Sequence, residues 1–186
     1  MDAFNQIKKS IAEILKFIDE DPSREALQAT PARVAEALLY LTRGYREEIK
    51  DELVKGLFPA ENNDMVALRD MEFHSLCEHH ILPFYGHVSV VYIPDKSLIG
   101  ISKIARIVDH FAARLQVQER MTAQIADMVF EVLSPRAVGV MVTARHLCMS
   151  SRGVKKDDAL MVTRAARADN KDLEREVNEI LQGFSK

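Results

Sequence analysis

The two cysteines of this 186-residue chain each have a histidine close by in the sequence. Cys77 precedes His79 and His80, and Cys148 follows His146. Thiolate and imidazole are preferred ligands of Zn²⁺, which binds them tetrahedrally at roughly 2.0 to 2.3 Å. Two cysteines and one histidine would supply three ligands and leave a fourth position for water, which is typical of a catalytic zinc site rather than a structural one.

The spacing within each pair is compatible with a shared site. Cys77 and His80 are three residues apart, as in a tight turn or the first turn of a helix. His146 and Cys148 follow an alternating apolar run that predicts a strand, and residues two apart on a strand point to one face. If the strand extends that far, one of the two binds the metal and the other faces what the metal binds. A disulfide between Cys77 and Cys148, or a chance grouping, is the alternative, because a C-x2-H motif alone is loose.

The composition limits the class of protein. Hydrophobic residues make up 47% of the chain and charged residues 28%, which predicts a packed core. The net charge of −3 favours no nucleic-acid-binding surface, so an anionic ligand would need a local basic pocket. No apolar run approaches the roughly 20 residues of a membrane span, and the N-terminus has no signal-peptide pattern. We therefore expect a cytoplasmic protein with reduced cysteines that binds neither nucleic acid nor membranes.

Apolar periodicity predicts the elements that would position these residues. Residues 1–60 predict an N-terminal helical arm, in which Thr30 is an N-cap and Pro31 the first helical residue. After residue 60 the period changes to that of strands. The predicted strands are one leading into Cys77, then 88–93, 137–144 and 160–163.

Two amphipathic helices are predicted between the second and third strands, the first with Ser102 as its N-cap. A charged helix is predicted after Asp169. The order β-β-α-α-β-β behind a helical arm predicts an α+β fold.

Four segments resemble, in the same order, the signature segments of GTP cyclohydrolase I. They are residues 75–84, which contain the Cys-Glu-His-His motif, and residues 99–109, 116–122 and 145–153. Residues 30–35 and 44–45 resemble that family's N-terminal helix. Agreement of four segments in order is far more specific than any one of them.

The resemblance implies a fold and an activity. The fold is the tunnelling fold (T-fold), an antiparallel four-stranded sheet with two helices on one side, here in residues 61–186 behind the helical arm of residues 1–60. The family joins these sheets around rings of five subunits and stacks two rings into a decamer, so we expect a homodecamer. Its reaction converts GTP and water into 7,8-dihydroneopterin triphosphate and formate.

The resemblance also implies the roles of the metal-binding and catalytic residues. The zinc ligands would be Cys77, His80 and Cys148, and the acid–base histidines would be His79 and His146. The chemistry is consistent with this, because zinc lowers the pKa of a bound water to about 7. A histidine with a reference pKa near 6.5 exchanges protons in the same range.

Six further residues would bind the substrate by the same resemblance. Glu119 would bind guanine, since a carboxylate accepts hydrogen bonds from N1 and N2 together. Gln118 and Ser102 would contact the ribose. The residues that would bind the triphosphate are cationic: Lys103, Arg106 and Arg152.

Other hypotheses stay open at this point. An enzyme of the same fold could act on a related purine or pterin, or stop at a ring-opened intermediate. A catalytically silent, zinc-stabilised oligomer is another, although it would need neither His146 nor Glu119. The ligand set also permits Fe²⁺. Residues 164–169 lack a glycine that the family pattern leads us to expect, so we expect a departure from the family arrangement there.

Overall fold

The computed structural model describes residues 2–184 and divides the chain into two compact units between Arg43 and Gly44. The first unit holds two helices, α1 (Ala3–Ile18) and α2 (Thr30–Leu41), which pack against each other. Helix α2 begins one residue earlier than predicted. Ala29 already has α-helical backbone angles and occupies the cap position, so Thr30 lies inside the helix.

Within residues 2–184, all of the strands lie in the second unit. In chain order its elements are α3 (Lys50–Val54), β1 (Leu57–Pro59), β2 (Val66–Cys77), β3 (Pro83–Ile93), β4 (Ser97–Ile99), α4 (Ile101–Ala112), β5 (Leu115–Gln116), α5 (Gln118–Leu133), β6 (Ala137–His146), α6 (Leu147–Ser150), β7 (Met161–Ala168) and α7 (Lys171–Gly183). The mixed α+β class is confirmed. No helix within residues 2–184 is long and apolar enough to cross a membrane.

The division at residue 43 lies earlier than the predicted boundary at residue 60. Strand β1 pairs antiparallel with β4, with Leu57 opposite Ile99, and this ties residues 57–59 to the second unit. The helical arm was predicted to extend through these residues. The structure instead has a strand there, because pairing with a segment 40 residues later outweighs local preference.

The main sheet has the strand order β5-β2-β3-β6-β7. Four strands, β2, β3, β6 and β7, pair antiparallel, and the two-residue β5 adds a short parallel pairing beside the end of β2. Strand β7 is longer than predicted. Its eight residues pair with Ala137–Ala144 of β6, so the unusual segment after Thr163 continues the strand.

Helices cover both faces of the sheet. Helices α4 and α5 bury Ile104, Ile107 and Ile125 against one face, together with Val90 and Val140 of the sheet. Alternate strand residues point the other way and pack against α7. The predicted pair of helices on one side is therefore present, and α7 adds a cover on the opposite side.

The start of α4 differs from the prediction. Gly100, with extended backbone angles, is the cap, so Ser102 lies within the first turn. The Gly100 amide donates to the Gly56 carbonyl oxygen at 3.0 Å, and the Lys103 amide donates to the Gly100 carbonyl oxygen at 2.8 Å. These two hydrogen bonds fix the position of the first turn of α4, which carries Lys103.

Candidate metal centre and active site

A tight turn at the end of β2 brings Cys77 and His80 together. The Ile81 amide donates to the Cys77 carbonyl oxygen at 2.8 Å, and the Cys77 amide donates to the Leu82 carbonyl oxygen at 2.9 Å. Ile81 adopts a left-handed backbone with φ of 54°, which reverses the chain direction. The Cys77 Sγ and His80 Nδ1 atoms consequently lie 3.7 Å apart.

Cys148 reaches the same place from the far end of β6. The strand ends at His146, and Cys148 lies on the short helix α6, so the two residues do not share a strand face as the spacing predicted. The pairing of Phe84 with His146 across β3 and β6 brings this end of β6 beside the Cys77 turn. The ligand atoms of Cys77, His80 and Cys148 all lie within 4.8 Å of one another.

The donor set and its dimensions are compatible with a zinc ion. Two ligands bound tetrahedrally at the usual zinc–sulfur and zinc–nitrogen lengths stand about 3.6 Å apart, which is close to the Cys77–His80 distance. Both cysteines are free, so the alternative disulfide is not formed. Burial, followed by the neighbouring Cys77, raises the pKa of the Cys148 thiol, so a metal that binds here must displace its proton.

His79 lies at the exposed rim of the same turn. Its Nδ1 atom is 3.8 Å from Cys77 Sγ, and its Nε2 atom is 4.0 Å from a carboxylate oxygen of Glu78. The ring meets His80 edge to face at 6.2 Å. His79, expected from the resemblance to be an acid–base histidine, therefore lies next to the Cys77–His80 pair.

His146 is held by one hydrogen bond and one ring contact. Its Nε2 atom lies 2.8 Å from Oε1 of Gln118, and its ring stacks on Phe84 at 4.7 Å with an interplanar angle of 4°. Burial lowers the pKa of His146, and the nearby negative charge of Glu119 opposes this. The imidazole is therefore favoured in its neutral form.

Gln118 determines which nitrogen of His146 carries the proton. Its amide nitrogen donates to the carbonyl oxygens of Val142 and Met161, both at 3.0 Å. Because these acceptors fix the amide nitrogen, Oε1 must face His146, and the Nε2–H group must donate to it. The Nδ1 atom of His146 is left as the basic nitrogen.

Gln118 is buried, whereas contact with a ribose requires an accessible side chain. Its side chain is only 1% exposed, and its partners lie on β6, β7 and His146. Glu119, the next residue, is exposed in the first turn of α5. The two neighbours therefore face different surroundings, Gln118 the protein interior and Glu119 the solvent near His146.

The cations predicted to bind triphosphate fall into two places. Lys103 and Arg106 lie on one face of α4, and both form ion pairs with Glu52. Arg152 is exposed in the loop after α6, where its charge acts on Cys148. Ser102 is exposed in the first turn of α4. Within residues 2–184, no hydrogen bond or ion pair joins Lys103 or Arg106 to the metal group.

Sequence reasoning missed two residues that fasten the metal-binding turn. Arg120 donates to the Glu78 carboxylate, and its Nε donates to Oε1 of Gln116 at 3.1 Å. The Glu78 amide also donates to the Gln116 carbonyl oxygen at 3.0 Å. The missed residues are Glu78 and Arg120. The signals available in the sequence were that Glu78 lies inside the Cys-Glu-His-His motif and that Arg120 follows Glu119. Together they tie the turn to the start of α5.

Comparison with known proteins identifies the family of the chain that carries this site. The family model described as GTP cyclohydrolase I matches residues 7–185. The chain belongs to the GTP cyclohydrolase I family. The resemblance found in the sequence is thereby confirmed, and the protein is an enzyme of this type.

Curated relatives agree over most of their length. The GTP cyclohydrolase 1 of Leptospira biflexa serovar Patoc is 56% identical over 154 residues, which span 82% of this chain and 84% of the relative. The enzyme of Campylobacter curvus is 49% identical over 91% of this chain and 90% of its own. The enzyme of Alkalilimnicola ehrlichii is 46% identical over 95% of this chain and 96% of its own length.

A solved structure, the archaeosine synthase QueF-Like in its apo form, also shows a likeness to this GTP cyclohydrolase I family member. It is 19% identical, covers 60% of this chain and 100% of its own, and has a TM-score of 0.48. A likeness of this strength does not assign the fold.

Proposed function

We propose that this protein is a zinc-dependent GTP cyclohydrolase I. It opens the imidazole ring of the guanine of GTP by hydrolysis and rearranges the product to 7,8-dihydroneopterin triphosphate, with release of formate. The observation that carries this proposal is the convergence of Cys77, His80 and Cys148 beside His146, in a chain of this family.

Cys77, His80 and Cys148 are the proposed metal ligands. Two thiolates and an imidazole suit Zn²⁺, and three protein ligands leave a position for a reactant. When bound, the ion supplies Lewis acidity and makes water a stronger nucleophile near neutral pH. The Glu78–Arg120 contact supports this group by holding the turn that carries Cys77 and His80.

His146 is the proposed acid–base residue for ring opening. Its neutral ring, with Nδ1 free to accept, is prepared to take a proton from water and return it to the imidazole nitrogen of the substrate. We assign to Gln118 the positioning of this ring, in place of the ribose contact, because its side chain is buried and bonded to His146. His79, which is exposed and lies next to Cys77, is the proposed second proton carrier.

The remaining predicted residues are proposed to hold the substrate. Glu119 accepts hydrogen bonds from the guanine edge, and its place beside His146 supports this. Ser102 contacts the ribose. The triphosphate is bound by three cations: Lys103, Arg106 and Arg152.

We propose that the active enzyme is a cytoplasmic homodecamer built from T-fold subunits. Lys103 and Arg106 have no bond to the metal group within one chain, which is consistent with a site completed by a second subunit. The four antiparallel strands with α4 and α5 on one face are compatible with such a subunit.

The decisive experiment is incubation of zinc-loaded protein with GTP, followed by assays of formate and of fluorescent pterin after oxidation. Equal yields of both products are expected. Formate without pterin would show an enzyme that stops after ring opening, and the absence of both would contradict the proposal. His146→Ala serves as the control, because it should retain the metal and lose turnover by about 10² to 10⁴-fold.

A further inference from the structure

The carboxylate of Glu52 lies between two of the cations assigned to the triphosphate. Its Oε1 atom is 2.9 Å from Nζ of Lys103 and 3.1 Å from Nη1 of Arg106, and its Oε2 atom is 3.2 Å from the same Arg106 nitrogen. Glu52 belongs to α3, whereas both cations belong to α4. A single side chain thus occupies N–H donors of both residues.

Lys103 is held in this arrangement by the backbone beside its side chain. The Lys103 side chain is only 20% exposed, and its stem crosses Gly56, where an added Cβ would stand 2.5 Å from Lys103 Cγ. Gly56 in turn accepts a hydrogen bond from the amide of Gly100, the cap of α4. The ammonium group is therefore directed at Glu52 by packing, and not only by charge.

Glu52 carries its negative charge at neutral pH. The hydrogen bond from Lys103 holds the pKa of this carboxyl below its usual range, and the charges of Arg106, Lys103 and Lys55 act in the same direction. A phosphate oxygen approaching the two cations therefore meets an anion already in place. Carboxylates and phosphates bind such donors in the same way.

We infer that Glu52 is an internal counter-anion that competes with the triphosphate of the substrate for Lys103 and Arg106. This inference rests on the proposed function, which assigns those two cations to the triphosphate. It goes further because it gives a specific role to a residue outside the family's signature segments. Glu52 lowers the affinity of the protein for the triphosphate, because its carboxylate occupies the N–H donors of Lys103 and Arg106 and repels the phosphate oxygens.

The competition has a use in turnover. The proposed product keeps the triphosphate of GTP, so the contacts that bind the substrate also retain the product. An anion that returns to the cations as the triphosphate leaves favours product release, a step that limits many enzymes. Glu52 is therefore a determinant of affinity and of release, without contact with the reacting ring.

The test uses inorganic triphosphate as the probe, titrated calorimetrically into the full-length, zinc-loaded protein. Glu52→Gln keeps the size of the side chain and removes its charge. We expect the variant to bind the probe about three- to tenfold more tightly, because partly exposed ion pairs are worth little each and two are released here. Unchanged or weaker binding would overturn the inference, and weaker binding would make Glu52 a residue that positions the cations. Failure of both proteins to bind the probe would overturn it as well.

Matched variants separate charge competition from other effects. Glu131 of α5 forms an ion pair at 2.7 Å with Lys50, which lies in α3 as Glu52 does. Glu131→Gln removes the same charge as Glu52→Gln and should leave probe binding unchanged. Arg106→Gln should weaken probe binding. If Glu52→Gln fails to fold, Glu52→Ala is measured in its place with the same expected direction.

Kinetics then distinguish this inference from the proposed function. Probe binding needs no chemistry on the guanine ring, so tighter binding by Glu52→Gln would stand even if GTP were not converted. Where GTP is converted, the KM of Glu52→Gln should fall, and slower product release should keep kcat from rising. An increase in KM would contradict competition at the substrate site.

Discussion

Cys148 is the proposed metal ligand that lies far in the sequence from the other two, Cys77 and His80. Cys148→Ala should remove most of the bound metal, because it leaves one thiolate and one imidazole, which bind zinc much more weakly than three ligands. Elemental analysis of protein purified without chelator should show about one zinc per chain in the parent and little in the variant. His74→Ala is the control, since that ring stacks on Tyr85 and lies outside the metal group. Full metal content and full activity in Cys148→Ala would contradict the assignment.

Gln118 and Glu119 are adjacent in sequence but should differ in kinetics. Gln118→Met removes the acceptor for His146 Nε2–H. We expect kcat to fall about 10- to 100-fold, which is part of what acid–base catalysis usually contributes. KM and zinc content should change little. Steady-state kinetics with GTP would measure this. Thr163→Val is the matched control, because it removes another partner of the Gln118 amide and leaves His146 bonded.

Glu119→Gln provides the contrast. If Glu119 binds guanine as proposed, this change places an amide donor against a guanine hydrogen, so KM for GTP should increase while zinc content stays the same. If Gln118→Met raised KM and left kcat unchanged, the ribose contact first predicted for Gln118 would be favoured over the positioning of His146.

At the scale of elements, the packing of α7 on the sheet depends on Gly139. A Cβ at this position would lie 2.8 Å from Cδ1 of Leu181 and 3.2 Å from Cβ of Val177, both in α7 and both fully buried. Gly139→Ala should therefore lower the free energy of unfolding by about 1 to 3 kcal/mol, the usual cost of overpacking. Thermal unfolding would measure this.

Gly183→Ala is the matched control for Gly139→Ala. Gly183 lies within α7, and a Cβ there would meet nothing within 4 Å. Alanine favours helix over glycine by up to about 1 kcal/mol, so this variant should be as stable as the parent or slightly more stable. Equal stability of both variants would show that α7 does not pack tightly on the sheet.

Elements with strong local patterns could be predicted from the sequence, and those fixed by distant contacts could not. The apolar periodicity of α4 and α5 was sufficient to place both helices. Strand β1 was missed because the strand that it pairs with, β4, lies 40 residues later. The end of β6 at His146 could not be predicted either, since nothing in the residues themselves marks where the strand gives way to α6.

The candidate site shows the same limit. The types and spacing of the cysteines and histidines pointed to a metal group, but the choice of Cys77, His80 and Cys148 as its ligands came from the resemblance to the family. The direction of Gln118 depends on where the backbone carbonyls of β6 and β7 lie, and this is a tertiary property. The pairing of Glu52 with Lys103, 51 residues apart, carries no signal in the sequence.

At the scale of the whole molecule, the main sheet has free edges that a ring of subunits would close. Within residues 2–184, β7 has no strand on its outer side, and β2 pairs on its outer side only at Leu76 and Cys77. Free edges favour pairing with another chain. If the protein forms the proposed homodecamer, light scattering should give a mass near ten times 21.1 kDa. A monomer with full cyclohydrolase activity would show that the site is complete within one chain.

The distance in sequence between the proposed metal ligands has a consequence for biosynthesis. Cys148 follows His80 by 68 residues, and ribosomes add about 5 to 20 residues per second. Each new chain therefore carries Cys77 and His80 for roughly 3 to 14 s before its third ligand has been made. During that interval the turn offers only two donors. Three-ligand binding of the proposed metal would therefore wait until Cys148 has been made and β6 has paired with β3, so the ion would not be available to organise the strands that form before then.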